Sequence, residues 1–108
     1  MKIALIGYGK MGKTIEKIAI DKGHSIVYKS TADWSEGSLS EAEVAIEFST
    51  PKAATANLKE CFNKGIPVVC GTTGWLENYD EVAQNCIENN GAMLYASNFS
   101  LGVNIFFH

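Results

Sequence analysis

Short apolar stretches of strand length alternate along the chain with longer stretches in which apolar residues recur at helical spacing. This alternation predicts parallel strands joined by crossover helices. The stretches predicted as strands are Lys2–Ile6, Ser25–Lys29, Val44–Phe48, Pro67–Cys70 and Ala92–Tyr95. The pattern therefore predicts an α/β fold, a Rossmann-like doubly wound parallel sheet in a single domain.

Two helices are expected to follow the first and third predicted strands. The first extends from Met11 to about Lys22 with Gly23 as its C-terminal cap, and its apolar positions are Ile15, Ile18 and Ala19. In the second, Ser49 or Thr50 caps the N-terminus and Pro51 suits the first turn. The buried face of this second helix is predicted to consist of Ala54, Leu58, Cys61 and Phe62.

A third helix is expected after the fourth strand, ending at Gly91. Its predicted apolar face consists of Tyr79, Val82, Ala83, Cys86 and Ile87. The polar segment Ser30–Glu43 is rich in Ser, Glu and Gly, so we expect a connection with at most one short helical turn.

The last part of the chain begins a new apolar element. A polar turn, "ASNFSLG", leads into "VNIFFH", in which Ile105, Phe106 and Phe107 are large and apolar. Nothing after them completes the element they begin, so we expect a truncated chain or one domain of a longer protein. Residues 1–108 are then expected to form one domain of that protein.

Composition and charge narrow the class of protein. Hydrophobic residues make up 46% and charged residues 19% of the chain, as in an ordinary globular protein. The net charge of -3 gives no extended basic surface for nucleic acid or an anionic membrane. No apolar run approaches the roughly 20 residues that cross a bilayer. These features predict a cytoplasmic protein that binds neither partner.

The three cysteines do not form a recognisable site. Cys61, Cys70 and Cys86 are odd in number and lack C-x-x-C spacing. We therefore expect no disulfide and no metal site, but small buried side chains in a reducing compartment.

The glycines Gly7, Gly9 and Gly12 have the spacing G-x-G-x-x-G between a predicted strand and a predicted helix. In this context the first glycine permits a tight turn, the second lets the backbone approach a pyrophosphate, and the third allows close packing of helix on strand. The free N–H groups of the helix N-terminus favour phosphate. Lys10 either adds charge near these phosphates or is a solvated lysine.

The end of the second strand is expected to select the cofactor. An acidic residue there would accept hydrogen bonds from an adenosine ribose, but the strand ends in "YKST". Lys29, with Ser30 and Thr31, could instead receive a 2'-phosphate, which favours NADPH modestly over NADH. The alternative is that Lys29 is an exposed lysine at a strand end.

Loops that follow the strands should meet at one edge of the sheet, where open α/β sheets bind ligands. They are "GYGKMG", "KST", "FSTP", "CGTTG" and "ASNFSLG", and all are rich in small polar residues. Tyr8, Phe48 and Phe99 in these loops offer flat apolar surface to cofactor rings. Any one such loop is also ordinary turn chemistry.

Four motifs occur together in order: "GKMG", "EFSTP", "GTTG" and "SNFSLGVN". In order and spacing they resemble the N-terminal domain of the dihydrodipicolinate reductase (4-hydroxy-tetrahydrodipicolinate reductase) family, and the likeness runs from the first strand to the end of the chain. The glycine loop is shared with many dehydrogenases, whereas "GTTG" followed by "NFSLGV" is more specific.

The resemblance implies a role for each loop in binding NADPH or NADH. The residues it implies at the pyrophosphate are Gly7, Tyr8, Gly9, Lys10, Met11 and Gly12. It implies that Lys29 and Ser30 face the adenosine ribose, and that Phe48 and Ser49 line the cofactor site. The residues it implies at the nicotinamide end are Gly71, Thr72 and Thr73, closed by Ala96, Ser97, Asn98 and Phe99. Thr73 is also implied to touch the substrate.

The resemblance further implies hydride transfer from the nicotinamide to a cyclic imine dicarboxylate in lysine and diaminopimelate biosynthesis. The family carries its paired-histidine and lysine motif, its Ser-Gly-Thr segment and its tetramer-forming sheet in a second domain. None of these lies within residues 1–108. We therefore expect cofactor binding without turnover, name no catalytic residue, and expect a homotetrameric parent enzyme.

Two alternatives remain open at this stage. One is a stand-alone nucleotide-binding or redox-sensing module without catalysis, against which the apolar residues near the chain end argue. The other is the first domain of a different NAD(P)-dependent dehydrogenase, such as homoserine or sugar dehydrogenase, against which "GTTG" and "NFSLGV" argue.

Overall fold

A computed structural model describes residues 1–72, 75–95 and 104–107. The strands in this part of the chain are β1 (Lys2–Ile6), β2 (Ser25–Ser30), β3 (Ser35–Gly37), β4 (Val44–Glu47), β5 (Val68–Cys70), β6 (Ala92–Tyr95) and β7 (Asn104–Phe107). The α-helices are α1 (Lys10–Asp21), α2 (Pro51–Asn63) and α3 (Tyr79–Glu88). Short 3-10 turns cover Leu39–Glu41 and Leu76–Asn78.

All of these strands belong to one mixed sheet, in the order β3-β2-β1-β4-β5-β6-β7. The strands from β2 to β6 are parallel to one another. The edge strands β3 and β7 pair antiparallel with β2 and β6. The direction of strand addition reverses between β1 and β4, as it does in a doubly wound fold.

Both faces of the sheet are covered by helices. Ile3 and Leu5 of β1 pack with Ala19 of α1 on one face. The alternate β1 residues Ala4 and Ile6 belong to the larger core on the other face. That core includes residues of α2 and α3, namely Ala54, Leu58, Cys61, Phe62, Val82 and Cys86. The Rossmann-like doubly wound fold predicted from the sequence is thus confirmed.

The predicted caps of α2 are confirmed. Thr50 is its N-cap, with the Thr50 hydroxyl accepting a hydrogen bond from the Ala53 N–H, and Pro51 lies in the first turn. The predicted buried face of α2 is also correct. Gly23 follows α1 with a φ of 88°, which a residue with a side chain rarely adopts.

Four details of the predicted secondary structure were wrong. The connection after β2 contains, besides its one 3-10 turn, the short strand β3, which pairs with the end of β2. Ile18 and Ile87 were expected on buried faces but are about half exposed. The helix α3 ends at Glu88, and the residue with positive φ after it is Asn90, not Gly91.

Candidate functional site

A cleft of about 500 Å³ opens where the loops after β1 and β4 leave the sheet. These two strands are parallel neighbours, and the helices that follow them pack on opposite faces. The cleft therefore lies at the topological switch point, where such sheets bind ligands. Its lining consists of Gly7, Tyr8, Gly9, Thr31, Ala32, Phe48, Ser49, Thr50, Ala53 and Asn57.

Two of the three motif glycines are required by close packing. Gly7 has a φ of 98°, and a Cβ there would lie 1.8 Å from the Phe48 carbonyl oxygen. Gly12 is buried in α1, and a Cβ there would lie 2.9 Å from the Gly7 carbonyl oxygen. These contacts bring the turn after β1 against both its own helix and the loop after β4.

The third glycine meets none of the described residues. A Cβ added at Gly9 would have no atom of residues 1–72, 75–95 or 104–107 within 4 Å, although Gly9 lines the cleft. Packing among these residues therefore gives no reason for glycine at this position, whereas close approach of a ligand does. Gly9 is also the N-cap of α1, beside the first two residues of that helix, Lys10 and Met11, which are exposed.

Two helices direct their N-termini toward the cleft. Gly9 begins α1, and Thr50 and Ala53 of the first turn of α2 line the cleft directly. Neither helix has an acidic residue in its first turn, unlike α3, which has Asp80 and Glu81 there. The partial positive charge of both N-termini is thus left uncompensated, which suits an anionic ligand.

The end of β2 holds the glycine turn in place. The buried Ser30 accepts two hydrogen bonds at its main-chain carbonyl, from the Gly7 N–H at 2.8 Å and the Tyr8 N–H at 2.7 Å. The end of β2 and the glycine turn are therefore in direct contact. Because these N–H groups are paired, Gly9 and the residues that open α1 supply the turn's free donors.

Lys29 is paired with two carboxylates. Its ammonium lies 3.0 Å from Glu16 of α1 and 3.8 Å from Glu36 of β3. It also lies 4.8 Å from the centre of the Tyr8 ring, and the Tyr8 hydroxyl donates a hydrogen bond to Glu16. The bonds from Tyr8 and Lys29 lower the pKa of Glu16, and the same contacts raise the pKa of both donors.

Aromatic side chains lie beside this group of charges. The Trp34 ring packs edge-on against Tyr8 with 6.0 Å between ring centres, and Trp34 is 44% exposed. Tyr8 and Phe48 both line the cleft. Phe48 also covers Gly71, where a Cβ would lie 1.9 Å from the Phe48 ring.

A buried carboxylate connects the loops after β4 and β5. Glu47 has no exposed surface, and its carboxylate accepts hydrogen bonds from the hydroxyls of Ser49 and Thr72. The Asn57 amide donates at 3.0 Å, and the Cys70 thiol lies at 3.7 Å. Donors thus surround both carboxylate oxygens, as a buried carboxylate requires, and none of them comes from a cationic side chain of the described residues.

Thr72 lies inside this network. It is 5% exposed, and its hydroxyl oxygen accepts a hydrogen bond from the Ser49 N–H at 2.8 Å. The loops after β4 and β5 are therefore joined directly. The predictions for Thr73, Ala96, Ser97, Asn98 and Phe99 fall outside the described residues.

The sequence analysis missed several residues of the site. Four of them line the cleft, namely Ala32, Thr50, Ala53 and Asn57. Glu16 and Glu47 were also missed, and they hold neighbouring side chains in place. One signal was available, because Glu47 is a charged residue in the otherwise apolar run "VAIEF". Glu16 carried no such signal, since an acidic residue on an amphipathic helix is usually a solvated one.

The cysteines are buried and unpaired in disulfides. Burial raises the pKa of the Cys61 and Cys70 thiols to about 12 and also raises that of Cys86. Within residues 1–72, 75–95 and 104–107 no group of three or more potential ligand side chains could hold a metal ion. No helix in the same part of the chain is long and apolar enough to cross a membrane.

Comparison with known proteins identifies the family. The family model for the N-terminus of dihydrodipicolinate reductase matches residues 1–99. This chain belongs to the dihydrodipicolinate reductase family. The resemblance stated from the sequence motifs is therefore confirmed. The matched region contains both cleft-forming loops and the complete network around Glu47.

Curated relatives carry the name 4-hydroxy-tetrahydrodipicolinate reductase. The protein from Christiangramia forsetii is 52% identical over 109 residues, covering 99% of this chain and 46% of the relative. Those from Staphylococcus epidermidis and Staphylococcus aureus are 34% and 35% identical, each covering 95% of this chain and 46% of the relative. The chain thus spans about half the length of these reductases.

Solved structures share the fold. A putative homoserine dehydrogenase from Archaeoglobus fulgidus has a TM-score of 0.73 at 16% identity, covering 88% of this chain and 42% of the other. A hyperthermophilic archaeal homoserine dehydrogenase mutant in complex with NADPH has a TM-score of 0.69 at 16% identity. This match covers 87% of this chain and 42% of the other. At this identity the likeness concerns the fold alone.

Proposed function

We propose that this chain is the dinucleotide-binding domain of a 4-hydroxy-tetrahydrodipicolinate reductase and that its cleft binds NADH or NADPH. The observation that carries the proposal is the open side of Gly9 within a cleft flanked by two uncompensated helix N-termini. A pyrophosphate fits there, because main-chain N–H groups and helix dipoles favour its negative charge.

Different residues of the chain would contact different parts of the cofactor. The turn from Gly7 to Gly12 would face the pyrophosphate. Lys29 and Ser30 would face the adenosine ribose. Phe48, Ser49, Gly71 and Thr72 would line the nicotinamide half, with Thr73 and residues 96–99 beside it. The Glu47 network supports this half, since it fixes Ser49 and Thr72 relative to each other. When bound, the reduced nicotinamide supplies a hydride for a cyclic imine dicarboxylate.

The rest of the parent enzyme is proposed on the family's pattern. Residues 1–108 form the dinucleotide-binding domain, and a second domain supplies the substrate site and the contacts of a homotetramer. The parent enzyme is proposed to act in the cytoplasm, in lysine and diaminopimelate biosynthesis. Sensing of redox state through the cysteines is disfavoured, because buried thiols with raised pKa values are poor nucleophiles.

Direct titration tests the proposal. NADH and NADPH are added to the 108-residue chain while quenching of tryptophan fluorescence is followed, since Trp34 borders the cleft-lining Tyr8. Saturable binding of at least one nucleotide is expected. A chain that is folded by circular dichroism and binds neither nucleotide up to about 1 mM would overturn the proposal.

The substitution Gly9→Ala locates the binding in this cleft. Its methyl group meets no atom in the part of the chain that the structure describes, so the fold is expected to persist, while the affinity for both nucleotides falls about tenfold or more. Ala56→Val is the matched control, because it adds bulk at an exposed position of α2 outside the cleft lining. Equal affinities for Gly9→Ala and the unmodified chain would contradict this location.

A further inference from the structure

The charged group at the end of β2 bears on the choice between NADH and NADPH. In this fold the adenosine ribose lies at the end of the second strand, where Lys29 is the only charged residue of β2. Taken alone, Lys29 favours a 2'-phosphate. In the folded chain its ammonium is already bound to Glu16 at 3.0 Å.

Glu16 is held in this position from two sides. The Tyr8 hydroxyl donates to one carboxylate oxygen, and the Lys29 ammonium donates to the other. The Glu16 and Lys29 side chains are only 19% and 24% exposed, so water screens their attraction less than it screens a fully exposed pair. Tyr8 lines the cleft, which brings this group to the edge of the cofactor site.

The two carboxylates occupy the charge that Lys29 would otherwise offer to a phosphate. Its one ammonium faces Glu16 at 3.0 Å and Glu36 at 3.8 Å across the β2–β3 pair, so Lys29 has no uncompensated positive charge. A 2'-phosphate brings roughly two further negative charges. A ribose 2'-hydroxyl brings none and can donate a hydrogen bond to a carboxylate.

We infer that Glu16 is a specificity-determining residue of the cofactor site, one that acts through Lys29 and limits the preference for NADPH. The inference rests on the proposed function, since it concerns the ribose end of the same cleft. The carboxylate is supplied by α1 rather than by the end of β2. A search of the strand end for an acidic residue therefore does not find it.

Nucleotide titration of charge-neutralising variants tests the inference. Glu16→Gln keeps the size of the side chain and releases Lys29 from the nearer of its two counter-ions. The affinity ratio of NADPH to NADH is expected to rise about tenfold in this variant. In Lys29→Met the ratio is expected to fall at least about fivefold.

The double variant shows whether Glu16 acts through Lys29. In the Lys29→Met background, Glu16→Gln is expected to raise the ratio less than about threefold. Glu60→Gln is the matched control: Glu60 is exposed on α2 outside the cleft lining, so the same loss of charge is expected to change the ratio less than about twofold. Thermal unfolding of each variant confirms that it is folded.

Each result bears on a separate claim. An unchanged ratio in Glu16→Gln would overturn the inference, and so would a full tenfold rise in the absence of Lys29, which indicates direct repulsion of the phosphate. An unmodified chain that binds both nucleotides would leave the proposed function standing in either case. An unmodified chain that binds neither would reject the proposed function itself.

Discussion

Glu47 has the most demanding environment of any single residue in the site. Its carboxylate is fully buried at the end of β4, and the donors that surround it come from the loops after β4 and β5 and from α2. A buried anion is tolerated only when such donors are present. Removing the charge should therefore leave these donors with a poorer acceptor.

We predict that Glu47→Gln lowers the free energy of unfolding by about 1 to 3 kcal/mol. The new amide turns one acceptor into a donor that faces the hydroxyl of Thr72 or the amide of Asn57. Urea unfolding at neutral pH measures the change. The exposed Glu60→Gln serves as control and is expected to change stability by less than about 0.5 kcal/mol. A loss as small as the control's would contradict the role given to Glu47.

Individual site residues differed in how far the sequence could predict them. The glycine turn was predictable, because Gly7, Gly9 and Gly12 act on backbone close to them in the chain. Glu47 and Glu16 were not, because their roles depend on partners 25 and 13 residues away, Thr72 and Lys29. These partners meet only in the folded chain, so their spacing in the sequence does not reveal the contact.

At the scale of elements, α2 matters most to the cleft, because its first two turns supply part of the lining. The N-terminus of α2 is ordered by the Thr50 hydroxyl, which accepts a hydrogen bond from the Ala53 N–H. The sequence "STP" made this start predictable, since it joins a capping residue to a proline in the first turn.

We predict that Thr50→Ala lowers the free energy of unfolding by about 1 kcal/mol, because the first turn loses its side-chain acceptor. Thermal unfolding measures the loss. Ser38→Ala is the matched control, since Ser38 precedes the 3-10 turn Leu39–Glu41 without a side-chain capping bond. Its expected effect is below about 0.5 kcal/mol. Equal losses in both variants would refute a specific capping role for Thr50.

The strand β3 could not be predicted from the periodicity of apolar and polar residues. All of its residues, Ser35–Gly37, are exposed, so no alternation of apolar and polar positions marks it. Its pairing depends instead on Gly37, whose φ of 93° and close approach to the Val27 carbonyl oxygen exclude a side chain. A glycine among polar residues predicts a turn equally well, which is why this segment was assigned to a connection.

For the molecule as a whole, the doubly wound sheet with helices on both faces followed from the sequence pattern. The strand order and the antiparallel edge strands are known only from the structure. Apolar runs of strand length alternating with amphipathic helices are compatible with few other folds. The pattern also concentrates the cysteines on one side, since Cys61, Cys70 and Cys86 all belong to the larger core. Their common burial has a consequence for the stability of the folded chain at alkaline pH.

We predict that stability falls as pH rises above the thiol pKa of the unfolded chain, about 8.5. Folding raises this pKa to about 12 for Cys61 and Cys70, so the folded state keeps protons that the unfolded state releases. Each of these thiols then lowers the free energy of unfolding by roughly 1.4 kcal/mol per pH unit within that window. Urea unfolding at several pH values from about 7 to about 10 measures the slope.

The substitution Cys70→Ala is expected to reduce the dependence of the free energy of unfolding on pH by the contribution of one thiol. Val82→Ala provides the control, because it creates a cavity in the same core without removing a titrating group. It should lower stability similarly at every pH. A slope in Cys70→Ala that matches that of the unmodified chain would rule out this origin of the pH dependence.

The hydrogen bonds from Gly7 and Tyr8 to Ser30 are made by the main chain alone. Any residue at position 30 can supply that carbonyl, so the side chains around it are not needed to keep the glycine turn in shape. Under the proposed function, exchange of charged residues at the end of β2 is expected to alter the preferred nucleotide while the turn proposed to face the pyrophosphate keeps its shape. Cofactor preference would then be an evolvable property, separable from the ability to bind a dinucleotide at all.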